Sequence, residues 1–160
     1  MRFIGSALVA SAIVLGACGG GEKAPAADKA TPAAAPAVAA TGTAAPITGT
    51  THEVKMYGDE KGYRFEPKDL TIKAGDGIKF VFINGGPHNV AFNAADIPAD
   101  VKPQLDANFG ADKMTELSSK MLMNAGEFVT ISFANIKAGT YPFHCTPHLA
   151  MNMKGTVTVQ

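Results

Sequence analysis

The chain has 160 residues and carries 14 Lys+Arg against 14 Asp+Glu, a formal net charge of zero. That balance supplies no long-range field for nucleic acid or an anionic membrane surface. Only two cysteines occur, Cys18 and Cys145, and a disulfide between them competes with the separate role that each one's surroundings suggest.

After Met1 come Arg2 and an apolar run from Phe3 to Ala17. The run is too short for a stop-transfer helix and reads as a secretory signal over residues 1–17. It ends in Leu15-Gly16-Ala17-Cys18, which resembles a bacterial lipobox. In such a motif the peptidase cuts before the cysteine, and Cys18 then carries lipid. The implied location is the bacterial cell envelope, with the protein anchored to a membrane and facing the periplasm or the exterior. Residues 18–51 read as a flexible linker. Ala, Pro, Thr and Gly dominate, no aromatic residue occurs, and Pro25, Pro32, Pro36 and Pro46 disfavour a continuous helix. A tether of this length reaches roughly 30 Å as a coil and about 100 Å if extended.

Residues 52–160 have the size of one domain. Strands are predicted at Glu53–Tyr57 and Glu127–Phe133, which alternate, at Ile78–Ile83, which reads as partly buried on both faces, and at Tyr63–Phe65, Leu70–Ile72, Asn89–Phe92, Tyr141–Cys145 and Thr156–Val159. Short strands at this spacing predict an all-β antiparallel sandwich with Greek-key connections and about eight strands. The Asp-, Ala- and Lys-rich stretch 94–120 reads as a long connection with one short helix near Lys113–Ser119. Met56, Met114, Met121 and Met123 read as core filler. Asp96, Asp100, Asp106 and Asp112 lack the spacing of an EF-hand loop and read as a solvated face.

The chemistry concentrates near the C-terminus. Cys145, His148 and Met153 stand in the pattern C-x2-H-x4-M between two extended stretches. Thiolate and thioether are soft ligands and imidazole suits copper, so the loop supplies three ligands of a copper site with a weak axial Met. Met151 competes for the axial role, and the wider spacing favours Met153. The fourth ligand must be a histidine from elsewhere. His52 lies at the linker boundary and reads as a surface residue. His144 adjoins Cys145 and points to the opposite face of its strand. His88 follows Asn84-Gly85-Gly86-Pro87, a turn that presents it at the start of a strand, and is the candidate.

Taken together, residues 52–160 resemble the small blue copper proteins, cupredoxins of the plastocyanin and pseudoazurin kind. The matching residues are Pro87-His88-Asn89-Val90 with Phe92, Asp96-Ile97-Pro98-Ala99, Asn124-Ala125-Gly126-Glu127, and Tyr141-x-Phe143-x-Cys145-Thr146-Pro147-His148 through Met153-Lys154-Gly155. The resemblance implies an eight-stranded Greek-key sandwich and one type 1 copper on His88, Cys145, His148 and Met153. It implies a mobile one-electron carrier that serves redox protein donors and acceptors as a monomer, with no small-molecule substrate and no nucleic acid. Asn89 matches the family's asparagine beside the metal and is placed to bridge the two ligand loops, while Pro147 belongs to an apolar rim around His148 with Pro87, Leu149 and Ala150. His144 stands where plastocyanins carry a tyrosine, and the stretch 100–123 matches poorly. Two rival functions remain at this level: a periplasmic copper carrier or chaperone, and a copper enzyme using His144.

Overall fold

The computed structural model describes residues 43–160. The expected signal peptide, Cys18 and most of the expected linker lie outside the described residues. The chain forms strands β1 (Thr51–Asp59), β2 (Gly62–Glu66), β3 (Asp69–Ile72), β4 (Gly77–Phe82) and β5 (Ala91–Phe92). A short helix α1 (Lys102–Asp106) follows, then β6 (Phe128–Ser132), β7 (Gly139–His144) and β8 (Lys154–Val159). The strands make two sheets of four, ordered β2-β1-β4-β6 and β3-β8-β7-β5. The fold is thus the expected Greek-key β-sandwich.

Two features depart from the sequence reading. The sheets are mixed rather than purely antiparallel, because β1 pairs with β4 and β3 with β8 in parallel. The cause is connectivity. After β2 the chain crosses at Pro67 into the other sheet for β3, then returns for β4 alongside β1 and in the same direction. The helix lies at Lys102–Asp106, not at Lys113–Ser119. Pro103 suits a first helical turn, where its missing N–H costs nothing, and Leu105 is fully buried. In the 113–119 segment the Asp106 carboxylate accepts the Leu117 N–H at 2.6 Å and pairs with Lys113. Leu117 takes a φ of 58°, which no α-helix tolerates.

Alternation explains the core. Along β4, Ile78, Phe80 and Phe82 are buried, while Lys79 and Val81 are partly exposed on the other face. Phe65, Phe80 and Phe143 meet edge to face between the sheets, with centroids 4.8 to 6.0 Å apart. Each such ring stabilises the fold by roughly 1.5–3 kcal/mol through burial. Met56 is core, as expected, with none of its surface exposed.

The packed domain starts before residue 52. The Thr48 and Gly49 N–H groups both donate to the Gly75 carbonyl, at 3.0 and 2.9 Å, and β1 itself starts at Thr51. His52 is not a free surface residue. Its Nε2 lies 3.0 Å from Asp76 Oδ2, and Asp76 also accepts the N–H groups of Thr50 at 2.8 Å and Lys73 at 3.0 Å. The His52 contact first, then these amides, lower the Asp76 pKa from 3.8 to about 2. A carboxyl whose folded pKa lies below its unfolded value stabilises the fold above the unfolded value. That stability is lost as pH falls through the folded value. The thermal midpoint of the wild-type chain should therefore fall between pH 4 and pH 2, and Asp76→Asn should flatten that interval. Equal slopes for the two proteins would contradict the assignment.

Candidate metal centre

His88, Cys145 and His148 converge at one end of the sandwich, with their donor atoms within 4.8 Å of one another. They are the group of this kind found among the described residues. His88 is placed by the turn after β4. Gly85 has a φ of +72°, and a side chain there would strike the Gly58 backbone, so only glycine fits. The Asn84 carbonyl accepts the Gly58 N–H at 3.0 Å and the His88 Nε2–H at 2.9 Å. A carbonyl can only accept, so the proton sits on Nε2. The Nδ1 lone pair is then left facing Cys145 Sγ at 3.6 Å. Phe82 packs edge-on against the imidazole at 5.0 Å, and paired backbone hydrogen bonds to Leu122 hold the residue from the other side.

Cys145 follows β7 and is fully buried. His148 Nδ1 lies 3.4 Å from its sulfur. Burial pushes the Cys145 thiol pKa up, and the backbone N–H groups of Asn89 and His148 oppose that shift by favouring the thiolate. A bound metal cation supplies the charge that completes deprotonation. Burial holds both imidazoles below the ordinary histidine pKa, and for His148 the nearby His88 adds to the effect. Burial thus favours the neutral form of both rings, the form that ligates metal.

The loop after Cys145 is closed by its own backbone. The Cys145 N–H donates to the Met153 carbonyl at 3.1 Å, and the Met153 N–H donates to the His148 carbonyl at 3.2 Å. Asn152 takes a left-handed conformation that turns the chain back, and Met153 is fully buried. Met151, the competing thioether, is 55% exposed. Exposure separates the two: Met153 is shielded behind the ligand loop and Met151 faces solvent.

Asn89 is buried and links the two loops. Its Oδ1 accepts the Thr146 N–H at 2.7 Å, and its Nδ2 donates to Ser118 Oγ at 3.0 Å and Thr146 Oγ1 at 3.1 Å. Ser118 was not singled out from the sequence, and Thr146 entered only as part of the matching motif, without a role; small hydroxyls carry no signal until their partner is placed. Tyr63 was also missed, and its ring stacks on His148. The exposed residues Pro87, Pro147, Leu149, Ala150 and Met151 belong to the ligand-bearing loops. Met114 and Met123 are exposed rather than core, at 48% and 62%. Pairing of Leu122 with His88 turns Leu122 inward, so its neighbours Met121 and Met123 turn outward. His144 is half-buried on the other face of β7 from Cys145 and lines a surface groove with Asp96, Lys68 and Lys154.

A buried cysteine sulfur, two imidazole nitrogens beside it and a shielded thioether on the same loop form a soft, mixed N/S donor set. It suits copper, and the fold and site define a copper-binding β-sandwich. The family described as copper binding proteins, plastocyanin/azurin family, matches residues 52–160. The chain is 43% identical over 112 residues to a plastocyanin of Nostoc punctiforme, covering 69% of this chain and 74% of that protein. It is 40% identical over 106 residues to a chloroplastic plastocyanin of Physcomitrium patens, covering 66% of this chain and 56% of that protein. The solved structure of oxidised plastocyanin from Dryopteris crassirhizoma is 33% identical, with 68% of this chain and 99% of that one covered and a TM-score of 0.47. The chain belongs to the plastocyanin/azurin family of copper-binding proteins. It is a plastocyanin-like blue copper electron carrier, with copper as its cofactor, and not an enzyme.

Proposed function

We propose that the chain is a membrane-tethered, extracytoplasmic electron carrier. One copper would be held by His88, Cys145 and His148, with the buried Met153 thioether as the fourth donor. Copper, when bound there, supplies the Cu(II)/Cu(I) couple. The protein's part is to hold the donors still. The single observation that carries the reading is the convergence of His88 Nδ1 and His148 Nδ1 on the buried Cys145 sulfur. Asn89 fixes the distance between the loops, Asn84 fixes the His88 tautomer, and burial excludes water. Little then has to move when an electron arrives or leaves, because the donor positions are set by the fold.

His148 is 6% exposed and His88 is fully buried. His148 is therefore the ligand nearest solvent, and the apolar residues around it are the contact for redox proteins. The lipidated Cys18 and the Ala/Pro-rich tether keep the domain at the envelope while leaving it free to turn between a donor and an acceptor. The domain works as a monomer in this reading. A copper chaperone needs exchangeable ligands, and burial of Cys145 and Met153 argues against that role.

Reductive titration of the copper-loaded chain tests the reading. One electron equivalent per chain should bleach the visible absorption, and an oxidised redox protein should restore it. Rapid surrender of Cu(I) to an acceptor protein in the same experiment would favour the chaperone instead.

A further inference from the structure

The two imidazoles are not held in the same way. The far nitrogen of His88 donates to the Asn84 carbonyl at 2.9 Å. Metal-ligating histidines generally have such a partner, and it fixes the ring's rotation about its Cβ–Cγ bond. Among the described residues, Nε2 of His148 has no hydrogen-bond partner. What lies against that ring instead is Tyr63, stacked with a centroid separation of 3.7 Å and an interplanar angle of 16°. The same phenol ring meets His88 edge-on at 6.1 Å and 70°.

The geometry points to Tyr63 as a positioning residue that takes, for His148, the part that the Asn84 carbonyl takes for His88. This inference rests on the proposal that His148 holds copper. Tyr63 comes from the β1–β2 hairpin, far from His148 in the chain, so the stack is a tertiary contact and not a loop accident. Its seat is built. Gly58 pairs with Tyr63 across the hairpin, and a Cβ at Gly58 would lie 2.6 Å from the Tyr63 ring. The Gly58 N–H also donates to the Asn84 carbonyl at 3.0 Å. One short piece of β1 therefore seats the ring that covers His148 and braces the turn that orients His88. A flat ring against a flat ring resists tilting of the imidazole while it keeps water from that face. The hydroxyl of Tyr63 has no hydrogen-bond partner among the described residues, so the aromatic face is the operative part.

The test compares Tyr63→Phe with Tyr63→Leu in the full-length chain. Two quantities are read: the proton NMR shifts of the His148 ring in the copper-free and reduced forms, and the rate of Cu(I) release to a chelator. The expected result is ring-current-shifted His148 protons in wild type and Tyr63→Phe, with the shift lost in Tyr63→Leu. Loss of one stacked pair should speed Cu(I) release about 2- to 10-fold in Tyr63→Leu, with Tyr63→Phe close to wild type. Tyr63→Met replaces Tyr63→Leu if the latter fails to fold. Unchanged release in the non-aromatic variant, or a Phe variant as impaired as the Leu variant, overturns the inference. His148→Ala separates the two claims. Retention of copper and colour in that variant removes the copper role of His148, whereas the copper-free NMR shift reports the stack alone.

Discussion

Cys145→Ser should abolish the visible colour of the copper-loaded protein. An intense band requires a thiolate that donates charge to Cu(II), and the sulfur of Cys145 is the only thiolate source among the described residues. A serine hydroxyl is nearly isosteric but is a harder and far less basic donor in its neutral form. It keeps the shape of the site and removes the electronic cause of the band. The fold should survive, because Cys145 is fixed by its backbone hydrogen bond to Met153 and by burial rather than by a disulfide. The check is the visible spectrum of the variant reconstituted with Cu(II), beside a thermal melt that reports folding. A folded variant that keeps the band would remove Cys145 from the site.

Cys18→Ala should block both lipidation and lipobox processing, leaving an unlipidated precursor that keeps the apolar stretch Phe3–Ala17. Leu15-Gly16-Ala17-Cys18 places a cysteine where a lipobox carries it, and a chain of acyl carbons adds about 0.8 kcal/mol of membrane affinity per buried CH₂. No helix among the described residues is long and apolar enough to cross a bilayer. Loss of the thiol removes both the lipid and the cleavage that depends on it. Mass spectrometry of the N-terminal peptide reads the result. A wild-type protein with unmodified Cys18 would end the tethering proposal.

Local chemistry made part of this molecule legible from its sequence. Cys145 and His148 stand three residues apart, so their proximity follows from the loop alone. His88 could be selected because the chain has four histidines and the other two candidates sat at a boundary or on the wrong face of a strand. The sandwich followed from short strand-like segments at regular spacing, with alternation in segments such as 53–57 and 127–133. Other features depend on tertiary partners and leave no local trace. Tyr63 looks like any strand aromatic until β2 is laid against the His148 loop. The helix was misplaced because Asp106, the last residue of α1, captures the Leu117 N–H, a contact between the helix end and a later loop that no window of residues reveals. His52 became a partner of Asp76 only when the start of β1 was paired with β4. Met114 and Met123 were misjudged because apolar character alone does not say which way a loop faces.

The direct measurement is an anomalous-difference map at the copper edge from crystals of the copper-loaded chain. The account predicts one peak per chain, bonded to His88 Nδ1, Cys145 Sγ and His148 Nδ1, with the Met153 sulfur on its axial side. A peak at His144, or a second peak of comparable height, would contradict it.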